Sequence, residues 1–294
     1  MGLPMARKVF AAGFPLTVFN RTPERCAPLV EAGATLAASP AELARASDVV
    51  ITMVADGDAV RALLDGDDGL LAGAASRGDD EPGLVLCEMS TIGPLAAREI
   101  AGHCAEHGVA MIDAPVSGSV AVADAGALTI LVGGEEAALE RARPVLEAMS
   151  KAVLHLGPSG AGAAIKLGLN LIIGATVQSV SEALVLAEAS GIEREAAYDA
   201  IAASVVGSTY VEYKREAFLD PDGTPTAFTL DLMRKDLELA LELGEATGVP
   251  LLSTSAAANG TAFAVGLVGG DQDQSRIADA LRRVHRPQPE EKTP

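Results

Sequence analysis

The chain predicts an α/β domain, a doubly wound and mostly parallel sheet, followed by an all-α domain joined to it by a long interdomain helix. Three observations carry this expectation. Short β-rich runs alternate with helix-length stretches between residues 15 and 156, the pattern of βαβ units. No convincing strand follows the break Gly157-Pro158-Ser159-Gly160-Ala161-Gly162. The length, 294 residues, suits two domains better than one. The domains expected are 1–160 and 161–286, with 287–294, rich in Pro and Glu, as a disordered tail.

Each element has a local reason. A helix is expected over 4–12 and a strand over 15–20. Residues 23–32 read as a helix entered through Thr22-Pro23 and ended by Gly33, and 34–37 as a short strand. Ser39 caps a helix over 39–46, with Pro40 at its first position. Residues 48–54 (DVVITMV) are almost wholly apolar, as in a strand buried on both faces. A helix over 58–64 precedes a Gly- and Asp-rich stretch, 65–83, expected to be a mobile surface loop. Strands at 84–89, 109–113, 128–132 and 152–156 then alternate with helices at 94–107 and 135–149. Beyond the break, 163–190 can form one helix ended by Gly191. Further helices are expected at about 193–205, 230–247, 251–268 and 274–284.

Composition excludes several classes. Lys and Arg number 22 against 40 Asp and Glu, a formal charge of −18, which repels nucleic-acid phosphates. At 49% hydrophobic residues the chain can build a sizeable core. No signal peptide is visible near Arg7 and Lys8, and the uncharged stretch 167–181 contains Asn170 and Gln178 and falls short of a membrane span. Cys26, Cys87 and Cys104 form no disulfide framework and no zinc pattern, which suits a cytoplasmic protein. His103 and His107 have metal-ligand spacing but no accompanying Glu, and read as a solvated helix face; no metal is expected.

Gly2 at a helix start, then a strand, then the polar Asn20, resembles the back half of a dinucleotide-binding unit. Its front half, a strand and a G-x-G, would lie upstream of Met1. On the glycine alone, an ordinary N-terminal residue is the simpler reading. The strand end says more. Asn20, Arg21 and Thr22 offer donors and a positive charge where a carboxylate would select NAD, so NADP is favoured and NAD remains possible. An N-cap at Thr22 is compatible with this.

An ordered set of motifs then resembles the β-hydroxyacid dehydrogenases, within the 6-phosphogluconate dehydrogenase superfamily. The set is Met1-Gly2-Leu3-Pro4-Met5-Ala6, Asn20-Arg21-Thr22, Ser90-Thr91-Ile92-Gly93-Pro94, Asp113-Ala114-Pro115-Val116-Ser117-Gly118-Ser119, Gly162-x-x-x-Lys166-x-x-x-Asn170 and Lys235-Asp236-Leu237. The resemblance covers nearly the whole chain. It implies a Rossmann-like cofactor domain lacking its first strand. It also implies a helical domain that completes the active site and forms a homodimer or homotetramer.

Lys166 and Asn170 lie four apart on the interdomain helix among apolar neighbours, where a lysine is costly without a task. A snorkelling lysine is the plain alternative. The resemblance makes Lys166 the general acid/base and Asn170 its orienting partner. Ser117, Gly118 and Ser119 follow a strand, where such folds bind ligands, and suit a substrate carboxylate. Ser119 departs from the family's common Ser-Gly-Gly and hints at a glyoxylate or succinic semialdehyde reductase. The resemblance places Gly2, Leu3, Pro4, Met53, Val54, Ser90 and Thr91 on the cofactor. It adds Lys235, which on residue pattern alone is a solvated lysine paired with Asp231.

The activity expected is NADP-dependent interconversion of a small β-hydroxy acid and its aldehyde or keto acid. The alternatives are an imine reductase, against which Lys166 argues, and a non-catalytic dinucleotide-binding relative. The absent strand is central in such sheets, so Met1 is expected to be an internal methionine taken as a start. About ten residues would then be missing, one strand and a tight turn.

Overall fold

A computed structural model describes residues 1–78 and 82–285. The expected tail at 287–294 lies outside the described residues. The chain divides into two compact units, Met1–Leu167 and Gly168 onward.

The first unit opens with α1 (Gly2–Ala11), β1 (Thr17–Val18), a 3-10 turn (Pro23–Cys26), α2 (Ala27–Val30) and β2 (Thr35–Leu36). It continues with α3 (Pro40–Arg45), β3 (Val49–Thr52), α4 (Gly57–Leu64), α5 (Leu70–Ala75), β4 (Val85–Glu88) and α6 (Pro94–Glu106). β5 (Ala110–Asp113), β6 (Val116–Ser117), α7 (Val120–Asp124), β7 (Leu128–Gly133), α8 (Glu136–Glu147) and β8 (Ser150–Gly157) complete it. β3, β4 and β5 run parallel in that order; β7 is antiparallel to β5 and β6, and β8 runs parallel to β7. β1 and β2 form a separate parallel pair.

β4 is buried along its whole length, Glu88 included, whereas β3, expected to be buried on both faces, alternates half-buried and buried residues. One core lies between this sheet and α1 and α8, through Met5, Val9, Ile130, Leu139 and Leu146. A second joins α4, α5 and α6 to the other face through Val60, Leu64, Leu86 and Ile100. Ser39 caps α3 by accepting from the Glu42 amide at 3.1 Å, and Glu42 accepts in turn from the Ala38 amide, a near-reciprocal capping box.

Three expectations are corrected here. The stretch taken as a loop after Leu64 holds α5, because Gly73 packs so tightly on α3 that a Cβ there would meet the Ala41 carbonyl at 2.1 Å. The helix expected over 23–32 is a 3-10 turn followed by a single α-turn, and Thr22 stands at its N-cap without a side-chain capping bond. β6 and α7, absent from the sequence reading, occupy the Val116-to-Asp124 stretch.

α9 (Ala161–Ala189) begins in the first unit and runs on into the second. Gly191, at φ +82°, ends it. The second unit adds α10 (Arg194–Ala203), α11 (Thr209–Leu219), α12 (Leu230–Thr247), α13 (Leu252–Val268), a 3-10 turn (Gln274–Arg276) and α14 (Ile277–Val284). α11 was not expected; Ser208 caps it by accepting from Val211. The core of this unit gathers Val177, Leu184, Tyr198, Phe218 and Ile277. Beside it, Leu237 and Met233 of α12 close on Gly174 of α9, where a Cβ would lie 2.9 Å from Leu237.

Candidate active site

In the first unit the start of α1 lies against the end of β3, and the end of β3 is tied to the end of β4. The first turn of α1 has no side-chain cap, so its amides suit an anionic group. A Cβ on Gly2 would stand 3.8 Å from Met53, which brings the start of α1 to the end of β3. Pro4 is buried, and Leu3 packs with Val18, Cys26 and Leu29, so both serve the docking of α1. At the end of β1, Asn20 accepts from the Thr22 amide at 2.9 Å, a turn that carries the exposed Arg21.

The strand ends hold a row of polar groups. Thr52, Glu88 and Asp113 are register partners across β3, β4 and β5, and Asp113 faces Gly133 of β7. All three side chains are buried, the two acids at 1% exposure. Glu88 accepts from the Thr52 hydroxyl and, at 2.6 Å, from the Ser90 amide. Burial pushes the Glu88 carboxyl up from its ordinary value, against the hydrogen bonds from Ser90 and Thr52, with the nearby Asp113 adding to the rise. The Ser90 hydroxyl in turn accepts from the Val54 amide at 2.8 Å. Ser90 is thus a tether between two strand ends, and Thr91 beside it is half-buried.

Ser117 ends β6, paired with Thr129. Gly118 has φ +145°, and a Cβ there would meet Leu128 and Val122 at 2.8 Å, so only glycine fits. Ser119 caps α7, accepting from Val122 at 3.4 Å, which gives the departure from Ser-Gly-Gly a local reason.

Asp113 ends β5 with its carboxylate on the start of α9. One oxygen accepts from Gly160 at 2.7 Å, the other from Ala163 at 2.8 Å. Gly162 is required here, since a Cβ would lie 2.1 Å from the Leu131 carbonyl. Lys166, half-buried, follows one turn later. Four residues on, the buried Asn170 donates its amide to Asp236 of α12 at 2.5 Å. The other Asp236 oxygen faces the Lys235 ammonium at 3.0 Å. Asp231, the partner that residue pattern alone offers Lys235, also pairs with Arg234 at 3.6 Å.

Three buried acids, Glu88 and Asp113 in the first unit and Asp236 in the second, were not singled out from sequence. Asp113 and Asp236 stood inside quoted motifs, and Glu88 ends an apolar strand where an acid is unusual; that was the available signal. His103, on α6, bonds to Asp65, and His107, just past the end of α6, to the His103 carbonyl. Among the described residues no group of three His, Cys, Asp or Glu is placed to hold a metal ion.

Residues 1–157 match the family model for the NAD-binding domain of 6-phosphogluconate dehydrogenase. Residues 160–281 match that for the NAD-binding region of NADP-dependent 3-hydroxyisobutyrate dehydrogenase. The chain is 35% identical over 257 residues to 2-(hydroxymethyl)glutarate dehydrogenase of Eubacterium barkeri, covering 87% of this chain and 83% of that one. It is 38% identical over 253 residues to an NAD-dependent L-serine dehydrogenase of Pseudomonas aeruginosa, covering 84% and 83%. The solved 3-hydroxyisobutyrate dehydrogenase of Mycobacterium tuberculosis, in a structure with L-serine, aligns at a TM-score of 0.84 and 33% identity over 96% of each chain.

Proposed function

The chain belongs to the β-hydroxyacid dehydrogenase family, and on that footing we propose that it interconverts a small β-hydroxy acid and its aldehyde or keto acid with NADP. The observation that carries this is the pairing on α9 of the half-buried Lys166 with the buried Asn170, itself held by Asp236.

The residues suit the cofactor at two points. The uncapped turn at Gly2, Leu3 and Pro4, with Met53 and Val54 beside it, suits a pyrophosphate. Asn20 and Arg21, with Thr22, put donors and a cation where a 2′-phosphate needs them. When bound, NADP supplies the hydride acceptor for oxidation, and NADPH the donor for reduction. Lys166, as the neutral amine, takes the hydroxyl proton during oxidation and returns it during reduction. Asn170 orients Lys166 and the substrate oxygen. Ser117, Gly118 and Ser119 hold the substrate carboxylate, and Thr91 and Lys235 border the cofactor; Ser90 acts through its tether to Val54.

Two further readings belong with this one. α9 is long and apolar enough to cross a membrane by length and composition, yet only 33% of its most apolar window is buried. Ile172 and Leu186 of α9, and Leu252 and Phe263 of α13, are exposed. We take a second copy of the chain to cover them, in a homodimer or a larger homo-oligomer. The three cysteines are free and buried, which suits the cytoplasm.

The test is NADPH oxidation with glyoxylate, succinic semialdehyde and tartronate semialdehyde, and NADP reduction with 3-hydroxyisobutyrate. Lys166→Ala should lower turnover by about 10²- to 10⁴-fold and leave NADPH binding in place. Turnover undiminished in Lys166→Ala, or NADPH binding without turnover of any of the four, refutes the reading.

A further inference from the structure

The first turn of α9 is held more tightly than a helix of 29 residues requires. Its N-terminal amides could be met by water or by one small capping side chain. Instead a carboxylate from another strand, 47 and 50 residues away in sequence, takes two of them at 2.7 and 2.8 Å. That carboxylate is buried at 1% exposure. Burying an acid is costly unless its lone pairs are met, and here the two amides meet them. Space around the contact is equally closed. A Cβ on Gly133 would lie 2.7 Å from the Asp113 carboxylate and from the Ala161 nitrogen, and one on Gly162 would strike the Leu131 carbonyl. From the other side Arg98 donates to the Ser159 carbonyl at 3.2 Å. These hydrogen bonds and the close packing oppose fraying and sliding of the turn. Lys166 sits three residues beyond the last bound amide, inside the same compact unit as Asp113. A helix passes a displacement of its first turn directly to a residue so near.

We propose that Asp113 is a positioning residue for Lys166: by binding the Gly160 and Ala163 amides it fixes the start of α9, and with it the place from which Lys166 exchanges its proton. This rests on the reading of Lys166 as the acid/base. Asp113 touches neither substrate nor cofactor in this account; its work is done through the helix.

The test is a double-variant cycle on the full chain, with NADPH and whichever aldehyde acid the wild type reduces. Asp113→Asn keeps the shape but offers one acceptor where two amides need one each. It should lower kcat about 10- to 100-fold, the loss that a misplacement of about 1 Å brings, with NADPH affinity within about twofold of wild type. In a Lys166→Ala background the same substitution should change the residual rate by less than about threefold, since its partner is gone. Equal losses in both backgrounds overturn the proposal. Gly162→Ala leaves Asp113 intact but forces the helix start off Leu131; it should lose kcat in the same way, and wild-type kcat there also overturns the proposal. It serves in place of Asp113→Asn should that variant not fold. An arm without turnover keeps this separate from the functional reading. With lysines carrying 13C-methyl groups, the Lys166 resonance should move in Asp113→Asn while that of Lys151 stays. A moved resonance in a protein that turns over no substrate sinks the functional reading and leaves the anchoring intact; an unmoved resonance sinks the anchoring.

Discussion

Asp236→Ala tests how Asn170 is held. Asp236 is buried at 2% exposure, and one oxygen accepts the Asn170 amide at 2.5 Å. Removing it strands a buried donor, at a cost of about 1–3 kcal/mol. The second oxygen pairs with Lys235, whose side chain is 26% exposed, so solvent limits that pair to about 0–1 kcal/mol. The space vacated by the carboxylate adds about 1 kcal/mol, and relief from burying a charge offsets part of the total. The net expectation is a loss of about 2–3 kcal/mol. Asp236→Asn keeps an acceptor for Asn170 and forfeits the ion pair, so it should lose less, about 1 kcal/mol. Urea unfolding followed by circular dichroism reads both, since the chain has no tryptophan to report by fluorescence. Turnover should fall in the same order, Ala well below Asn. An alanine variant within about 0.5 kcal/mol of wild type would refute the account of the contact. One that is destabilised yet keeps full kcat/KM would refute the orienting role of Asn170.

Three other outcomes are expected. Arg21→Ala should raise KM for NADPH about 10- to 100-fold, the worth of a charge-assisted hydrogen bond, and change KM for NADH less than about twofold; equal losses would sink the 2′-phosphate assignment. Lys214→Met leaves the buried Asp273 carboxylate, 2.6 Å from the ammonium, without its cation. Burial works to raise the Asp273 carboxyl, but the Lys214 charge and hydrogen bond outweigh it and hold the group below its usual range. The variant should lose about 3–5 kcal/mol by urea titration at neutral pH, and Lys214→Met with Asp273→Asn should lose less. Glu88 behaves oppositely. Its folded carboxyl binds a proton at higher pH than its unfolded one, so its contribution is present below the unfolded value, about 4.3, and is lost as pH rises through the folded value. Glu88→Gln can accept from the Ser90 amide and donate to the Thr52 hydroxyl without titrating. Its Tm should gain on that of wild type as pH rises from about 5 to about 8, and parallel Tm curves would refute the assignment.

The alternation of strands and helices, and the glycine-rich break before α9, were legible because they depend on local pattern. Ser39, Pro40 and Gly191 marked element ends through their own backbone chemistry. α5 and α11 were hidden for different reasons. α5 has only six residues in a Gly- and Asp-rich run, and its stability comes from Leu70, Leu71 and Gly73 packed on other elements. α11 turns Lys214 into the core, which breaks the apolar stripe a reader looks for. Its burial makes sense only with Asp273, which lies 59 residues further along the chain.

The candidate site divides along the same line. Lys166 and Asn170 could be found because helical spacing of four is a local signal. What holds them is not local. Asn170 depends on an acid 66 residues away, and the start of α9 on one 50 residues away. Ser90, placed on the cofactor by the resemblance, also ties strand ends together, its hydroxyl accepting from Val54 and its amide donating to Glu88. Each of these acids ends a strand or sits within a helix, where a single sequence offers a solvated residue as the simpler reading. Burial alone reverses that reading, because a buried carboxylate must find donors and so ties together whatever carries them. A polar residue in a motif can thus be there for another residue in the motif rather than for the ligand. Turnover alone does not separate the two roles, since either loss lowers it. Coupling does: the effect of Asp113→Asn should vanish once Lys166 is gone, whereas a residue with its own contact to the substrate would keep its effect.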